Sequence, residues 1–236
     1  MQTLTLKGIS SMATKQVLAS LTKTYFAKTG IAVNIESVGG VDAAKRVTNS
    51  EMGGEAFDIV LLGSDAIDKL IAAGHVQQGS CVDWVKSPIA VAVRTGATAP
   101  SIASAQAIKD AVTQAHTISY STGPSGVYLN ELFERWGMTE QIKAKLVQAP
   151  VGISVGSLIA SGKVDLGFQQ LSEMLGVAGI QILGNLPDEI AYITTFSSGI
   201  PSKLDAAQSQ VVPGFQAFLV SKETENIKRE QGMYWG

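Results

Sequence analysis

The sequence predicts an α/β protein of two lobes, with the chain crossing twice between them. Three observations carry that prediction. Short apolar runs alternate with apolar residues at helical spacing along the 236 residues, and the alternation continues from end to end. Glycines stand where the helical runs should stop, as at Gly30 and Gly74. The texture of the chain changes near Lys86-Ser87-Pro88 and again near Phe196-Ser197-Ser198-Gly199. Strand–helix alternation argues for parallel sheets covered by helices on both faces. Two breaks far apart in sequence argue for one lobe made of residues 1–86 plus 197–236 and a second made of residues 87–196.

The elements follow in order. Residues 3–8 alternate Leu4 and Leu6 with polar neighbours, as a strand does. Val17, Leu18, Leu21 and Tyr25 then recur at helical spacing ahead of Gly30. Ile31, Val33 and Ile35 share one face of a strand over 31–37, which Gly39-Gly40 breaks, and 42–50 reads as a short helix. Residues 57–62 form a continuous apolar run, the mark of a buried parallel strand, and 65–73 a helix. In the second half, strands are expected at 89–93, 117–120, 145–148, 164–169, 181–183 and 190–196. Helices are expected at 104–115, with Ser104 as N-cap, and at 127–136 and 155–161. Helices over 213–220 and 223–231 close the chain.

Composition narrows the function. With 45% hydrophobic residues, 16% charged and 24 glycines, the chain can bury a packed core and turn tightly. Eighteen basic residues against 20 acidic ones give a net charge of −2, which excludes a basic footprint for nucleic acid and a polybasic membrane anchor. One cysteine, Cys81, excludes an internal disulfide framework and a Cys-rich zinc site. Two histidines leave little for a His-based metal centre, so neither metal nor cofactor is expected. The longest uncharged run lies between Lys145 and Lys163. Pro150, Gly152, Gly156 and Gly162 interrupt it, so it reads as strand, loop and helix rather than as a membrane span, and no membrane insertion is expected. The first residues show neither the basic nor the apolar segment of a signal peptide. A periplasmic location is therefore expected if a leader has been removed ahead of Met1, and a cytoplasmic one if Met1 is the native start.

Standard catalytic residues are scarce, and small hydrogen-bond donors at strand-to-helix turns are plentiful. Four turns stand out: Gly8-Ile9-Ser10-Ser11, Ser37-Val38-Gly39-Gly40, Ser121-Thr122-Gly123-Pro124-Ser125-Gly126 and Gly152-Ile153-Ser154. In open α/β sheets such turns lie at the carboxyl ends of the strands, where ligands bind. Each offers a helix N-terminus with free N–H groups and partial positive charge. Serine hydroxyls add donors. Any one such turn reads more readily as a plain helix cap, and the coincidence of four shifts the balance toward an anion site built of neutral donors. Gln169-Gln170, after an apolar strand, line the same cleft or cap the sheet edge.

Other motifs carry less. Gly152-Ile153-Ser154-Val155-Gly156 matches a nucleophile elbow, but both His75 and His116 precede Ser154, and the hydrolase order needs the histidine after the serine. Ser161-Gly162-Lys163 lacks the spacing of a phosphate-binding loop, and no G-x-G-x-x-G marks the first strand–helix turn. His75 and His116 read as solvated residues at element ends, Cys81 as a half-buried small side chain, and Arg94 as a solvent-facing strand end more readily than as an anion contact. No catalytic residue is assigned.

Several stretches resemble a known family: Phe26-Ala27-Lys28-Thr29-Gly30, Ala56-Phe57-Asp58-Ile59-Val60-Leu61, Pro124-Ser125-Gly126-Val127-Tyr128, Ala160-Ser161-Gly162-Lys163-Val164-Asp165-Leu166-Gly167, and the ending Phe218-Leu219-Val220 with Gln231-Gly232-Met233. Their order and spacing resemble the type II periplasmic solute-binding proteins, and among these the molybdate-binding-protein-like group, over nearly the whole chain. The resemblance implies two Rossmann-like lobes with mixed sheets, joined by two hinge segments and closing on a ligand. It also implies a small anion as partner, a membrane transporter of the ABC class, and a monomer. By position it places ligand contacts at Ser10 and Ser11, at Gly39 and Gly40, at Ser121, Ser125 and Gly126, at Gly152 and Ser154, and at Gln170. The molybdate pattern has serine pairs at the second turn and a tyrosine after the late strand, where this chain has Gly39-Gly40 and Gln169 or Gln170. A small carboxylate is therefore expected as readily as molybdate or tungstate. The expected function is capture of such an anion by hinge closure. The alternatives are an isomerase or lyase acting on a small carboxylate from the same scaffold, or a ligand-sensing domain.

Overall fold

The computed structural model describes residues 4–49, 55–150 and 152–235. They form two compact units, Met1–Lys86 with Thr195–Gly236, and Ser87–Thr194. Thr3 and Ser50, where the first expected strand begins and the second expected helix ends, lie outside the described residues.

The first unit opens with β1 (Thr5–Ser11), α1 (Lys15–Thr29), β2 (Ala32–Val38), α2 (Gly40–Asn49), β3 (Ile59–Gly63) and α3 (Ser64–Ala72). β1 is central, with β2 and β3 parallel to it on either side, and Ser10 lies in register with Ser37. α1 stops at Gly30, whose N–H donates to the Phe26 carbonyl from a left-handed conformation. Alternation along the strands sends Leu6, Ile59 and Leu61 into one core with Val17, Leu18 and Leu21 of α1. It sends Ile9, Val60 and Leu62 into another with Ala43 and Val47 of α2 and Ile67 of α3. The sheet is thus covered on both faces, and each fully buried Leu, Ile or Phe contributes about 2 kcal/mol.

β4 (Val82–Arg94) carries the chain onward. It is longer than the expected 89–93, with Val82–Lys86 in the first unit and Ser87–Arg94 in the second. The second unit continues with α4 (Ala105–Gln114), β5 (Ile118–Tyr120), α5 (Pro124–Arg135), α6 (Thr139–Ile142), β6 (Leu146–Gln148), α7 (Val155–Ala160), β7 (Leu166–Gln170), α8 (Leu171–Met174) and β8 (Ile180–Asn185). Its strand order is β8-β4-β7-β5-β6, with β5 parallel to β6 and β7, and β4 antiparallel to β7 and β8. Val91, Val93 and Phe168 pack with α4 and α5, while Ala90 and Ala92 pack under α7.

The chain returns through β9 (Ile193–Gly199), which pairs antiparallel with β3. Then follow α9 (Ala206–Ser209), α10 (Val212–Leu219) and α11 (Glu225–Glu230). The mixed pairing that the family resemblance implied is what the sheets show, where strand–helix alternation alone suggested parallel pairing. The physical reason is that β4 and β9 carry the chain between units instead of closing a βαβ crossover, and only such crossovers impose parallel pairing.

The C-terminal segment is held firmly to the first unit. Tyr234 exchanges backbone hydrogen bonds with Lys86 at 2.7 and 3.0 Å. The buried Lys228 donates to the Leu219 carbonyl at 2.5 Å, and its ammonium lies 5.9 Å from the Trp84 ring centre and 5.7 Å from that of Trp235. Burial lowers its pKa to about 8.

Candidate anion-binding site

In the first unit the parallel register of β1 and β2 brings two serines together at the carboxyl end of the sheet. Ser10 Oγ and Ser37 Oγ are 2.7 Å apart. Two hydroxyls hold two protons, and one is used between them. The other has the Ser11 carbonyl at 3.4 Å, a long contact that an incoming acceptor would displace. Ser11, also buried, accepts from the Ala13 N–H at 3.2 Å and caps the turn that leads into α1. Beside this pair α2 begins. The Gly39 carbonyl accepts from Ala43, and helix geometry leaves the N–H groups of Gly40, Val41 and Asp42 without intrahelical acceptors. A Cβ at Gly40 would meet nothing within 4 Å, so there is open space beside the first residue of α2. Asp42, in the same first turn, reduces the positive potential there.

In the second unit β5, β6 and β7 run parallel, so the turns after them share one edge. Ser121 and Ser125 form a second hydroxyl pair at 2.9 Å, and the Gly123 N–H donates to Ser121 Oγ at 3.2 Å. This pair too has one proton beyond the bond it makes internally. Gly126 has a packing role: a Cβ there would lie 1.7 Å from the Ser121 carbonyl oxygen, so only glycine lets α5 seat against its own turn. Gly152, at φ 80°, turns the exposed loop into α7.

The fourth turn has its amides largely committed. Ser154 Oγ accepts from the Ser157 N–H at 3.1 Å and pairs with Ser157 Oγ at 2.7 Å. The Val155 N–H donates to Gln169 Oε1 at 2.9 Å. The buried Gln169 amide in turn donates to Glu173 Oε1 at 2.8 Å. Burial raises the Glu173 carboxyl to about 7, against the opposing effect of the Gln169 hydrogen bond.

Gln170 is held within the protein. With its amide oriented to satisfy both ends, its nitrogen donates to the Ser87 carbonyl at 3.0 Å and its oxygen accepts from the Thr194 hydroxyl at 2.6 Å. Gln170, Ser87, Thr194 and Ser172 are all buried.

The sequence-derived candidates thus divide by unit. Ser10, Ser11, Gly39 and Gly40 share the carboxyl edge of the first sheet, and Ser121, Ser125, Gly152 and Ser154 share that of the second. Gly126 packs and Gln170 braces. Arg94 ends the strand antiparallel to β7, at the opposite edge, and is exposed. The His116 ring is exposed, while its backbone N–H donates to Asp165 at 3.2 Å. Among the described residues no cluster of His, Cys, Asp or Glu could hold a metal, and no helix is long and apolar enough to cross a membrane. Sequence reasoning missed Ser37 as the partner of Ser10, although counting back from Gly39-Gly40 gives the register. It also missed Glu173, whose i,i+4 spacing from Gln169 was the available signal.

The model of the bacterial extracellular solute-binding protein family matches residues 6–234. An aconitate isomerase from a Pseudomonas species is 33% identical over 231 residues, covering 97% of this chain and 87% of that protein. The periplasmic molybdate-binding protein of Azotobacter vinelandii superposes with a TM-score of 0.78 at 20% identity, covering 98% of this chain and 99% of that one. PEB3, a Campylobacter jejuni protein seen bound to L-phospholactate, superposes with a TM-score of 0.71 at 14% identity, covering 98% of this chain and 100% of that one. Its mixed α/β architecture is that of the type II periplasmic binding fold, and the chain belongs to the bacterial extracellular solute-binding proteins.

Proposed function

We propose that the protein captures a small organic anion, a di- or tricarboxylate, with the neutral donors at its strand-to-helix turns, by hinge closure. The observation that carries this reading is the serine pair in each unit, Ser10 with Ser37 and Ser121 with Ser125, each with one proton to give and each beside a helix N-terminus. Neutral donors of this kind hold an anion without a fixed counter-charge, so geometry selects the guest. Two further observations favour a carbon skeleton over a bare oxyanion such as molybdate. Exposed aliphatic side chains stand at the candidate turns: Val41 at 53%, Val127 at 56% and Ile153 at 47%. The 33% identical relative is named for a tricarboxylate. As a carrier, the protein would deliver its guest to an ABC-type membrane transporter.

Thermal denaturation with molybdate, tungstate, sulfate, phosphate, citrate and aconitate tests the reading. Citrate or aconitate should raise Tm more than the inorganic anions, since a ligand at a hundred times its Kd adds about 2.7 kcal/mol. No stabilisation by any of the six would overturn anion binding, and a larger shift with molybdate or tungstate would overturn the organic preference.

The name of that relative favours a second reading, isomerisation of the bound carboxylate. Proton NMR of cis- and trans-aconitate incubated with the protein decides it. Interconversion that disappears in Ser125→Ala supports an enzyme, and binding without interconversion leaves the carrier.

A further inference from the structure

We propose that Glu173 links anion binding in the second unit to protonation, its carboxyl being neutral while the guest is held and its ionisation weakening the grip. This rests on the anion-binding reading above. The geometry begins at α8, where Glu173 stands one helical turn past Gln169. Its Oε1 accepts from the Gln169 amide nitrogen at 2.8 Å, and the Gln169 oxygen accepts from the Val155 N–H at 2.9 Å. The amide therefore has one orientation, nitrogen toward the carboxyl and oxygen toward the start of α7. A charge on Glu173 lies one amide's width from the residue that follows Ser154.

Little opposes that charge. α8 carries no other ionisable side chain, and neither do α7 and β7, the elements most closely packed against it. The part of β4 within the second unit is uncharged until Arg94 at the far edge. Asp165, ahead of β7 at that far edge, is engaged with the backbone N–H groups of His116 and Thr117. Among the described residues Glu173 forms no ion pair. A half-buried carboxylate without a cation and a guest anion at the adjoining turns repel each other through protein that screens less than water. Each must therefore disfavour the other, and the coupling is reciprocal.

The sign follows. Burial places the Glu173 titration at about 7, so the carboxyl is neutral below that pH and charged above it. Affinity should fall as pH rises through neutrality, and guest binding should raise the Glu173 pKa further.

Calorimetric titration of cis-aconitate into the native protein and Glu173→Gln, at pH 6.0 and 8.5, tests the proposal. Glutamine keeps an acceptor oxygen for Gln169 and removes the charge. The guest's own ionisation is common to both proteins and cancels in their ratio. The native protein should lose at least about fivefold more affinity than the variant between the two pH values. Carbon-13 NMR of the Glu173 carboxyl, with and without saturating cis-aconitate, supplies a reading that needs no variant, and its midpoint should move upward. Equal pH dependence in the two proteins, or an unmoved midpoint, would overturn the linkage and leave anion binding standing. No binding of cis-aconitate at either pH would overturn the organic-anion reading and this proposal with it.

Discussion

Ser10 and Ser125 sit in different units and do the same work, each sharing one hydrogen bond with a neighbouring serine. Under the proposed function, removing either hydroxyl takes away a donor to the guest and frees the partner serine to turn elsewhere. Ser10→Ala and Ser125→Ala should each weaken anion binding about tenfold, the cost of one hydrogen bond to a charged group, as read by calorimetry. Full affinity in either variant would remove that pair from the site. At this scale the sequence was legible where a hydroxyl stood in a run of turn residues, as at Ser10, Ser11, Ser121 and Ser125. Ser37 was harder to see, because a lone serine at a strand end gains meaning only from the register that sets it against Ser10. Glu173 was hidden for a related reason. An acidic residue in a short polar stretch reads as a surface group, and only packing shows that its partner is an amide and not water.

Turns become binding surfaces only when their helices seat correctly, and the two units manage this differently. α5 reaches its place through Gly126, whose missing side chain leaves room for the Ser121 carbonyl. Gly126→Ala forces α5 away from that oxygen and pulls Ser125 off Ser121. The substitution should cost about 3 kcal/mol in urea denaturation, from overpacking against backbone that cannot yield, and should lower anion affinity as well. A loss below about 0.5 kcal/mol would mean that the turn relaxes and that the pair does not depend on the glycine. α7 illustrates why N-terminal amides cannot be counted from sequence. Gly152-Ile153-Ser154 carries the right residues, yet the N–H groups of Val155 and Ser157 are taken by Gln169 and by Ser154 itself. A long-range acceptor such as Gln169 leaves no trace in local pattern.

At the scale of the molecule, the chain passes between its two units at residues 86–87 and 194–195, close to stretches where Pro, Ser and Gly interrupt apolar runs. Helices on both faces of each sheet were visible in the 3.6-residue spacing. The direction of the crossing strands was not, because side-chain alternation is the same in parallel and antiparallel strands. Gln170 stands where those strands enter the second unit. Its amide holds the Ser87 carbonyl of β4 and the Thr194 hydroxyl of β9, so one buried side chain fixes the spacing of both. Gln170→Leu keeps the volume roughly constant and leaves a carbonyl and a hydroxyl without partners in a buried site. The expected cost is about 3 kcal/mol, seen as a lower urea midpoint. Gln170→Glu separates bracing from bulk. A carboxylate can still accept from Thr194 but cannot donate to Ser87, so it should also be less stable than the native protein, and more so as pH rises and the charge must form in the buried site. Native stability in both variants would show that the crossings hold their spacing without the amide, and that any hinge at β4 and β9 is set by the backbone pairing alone.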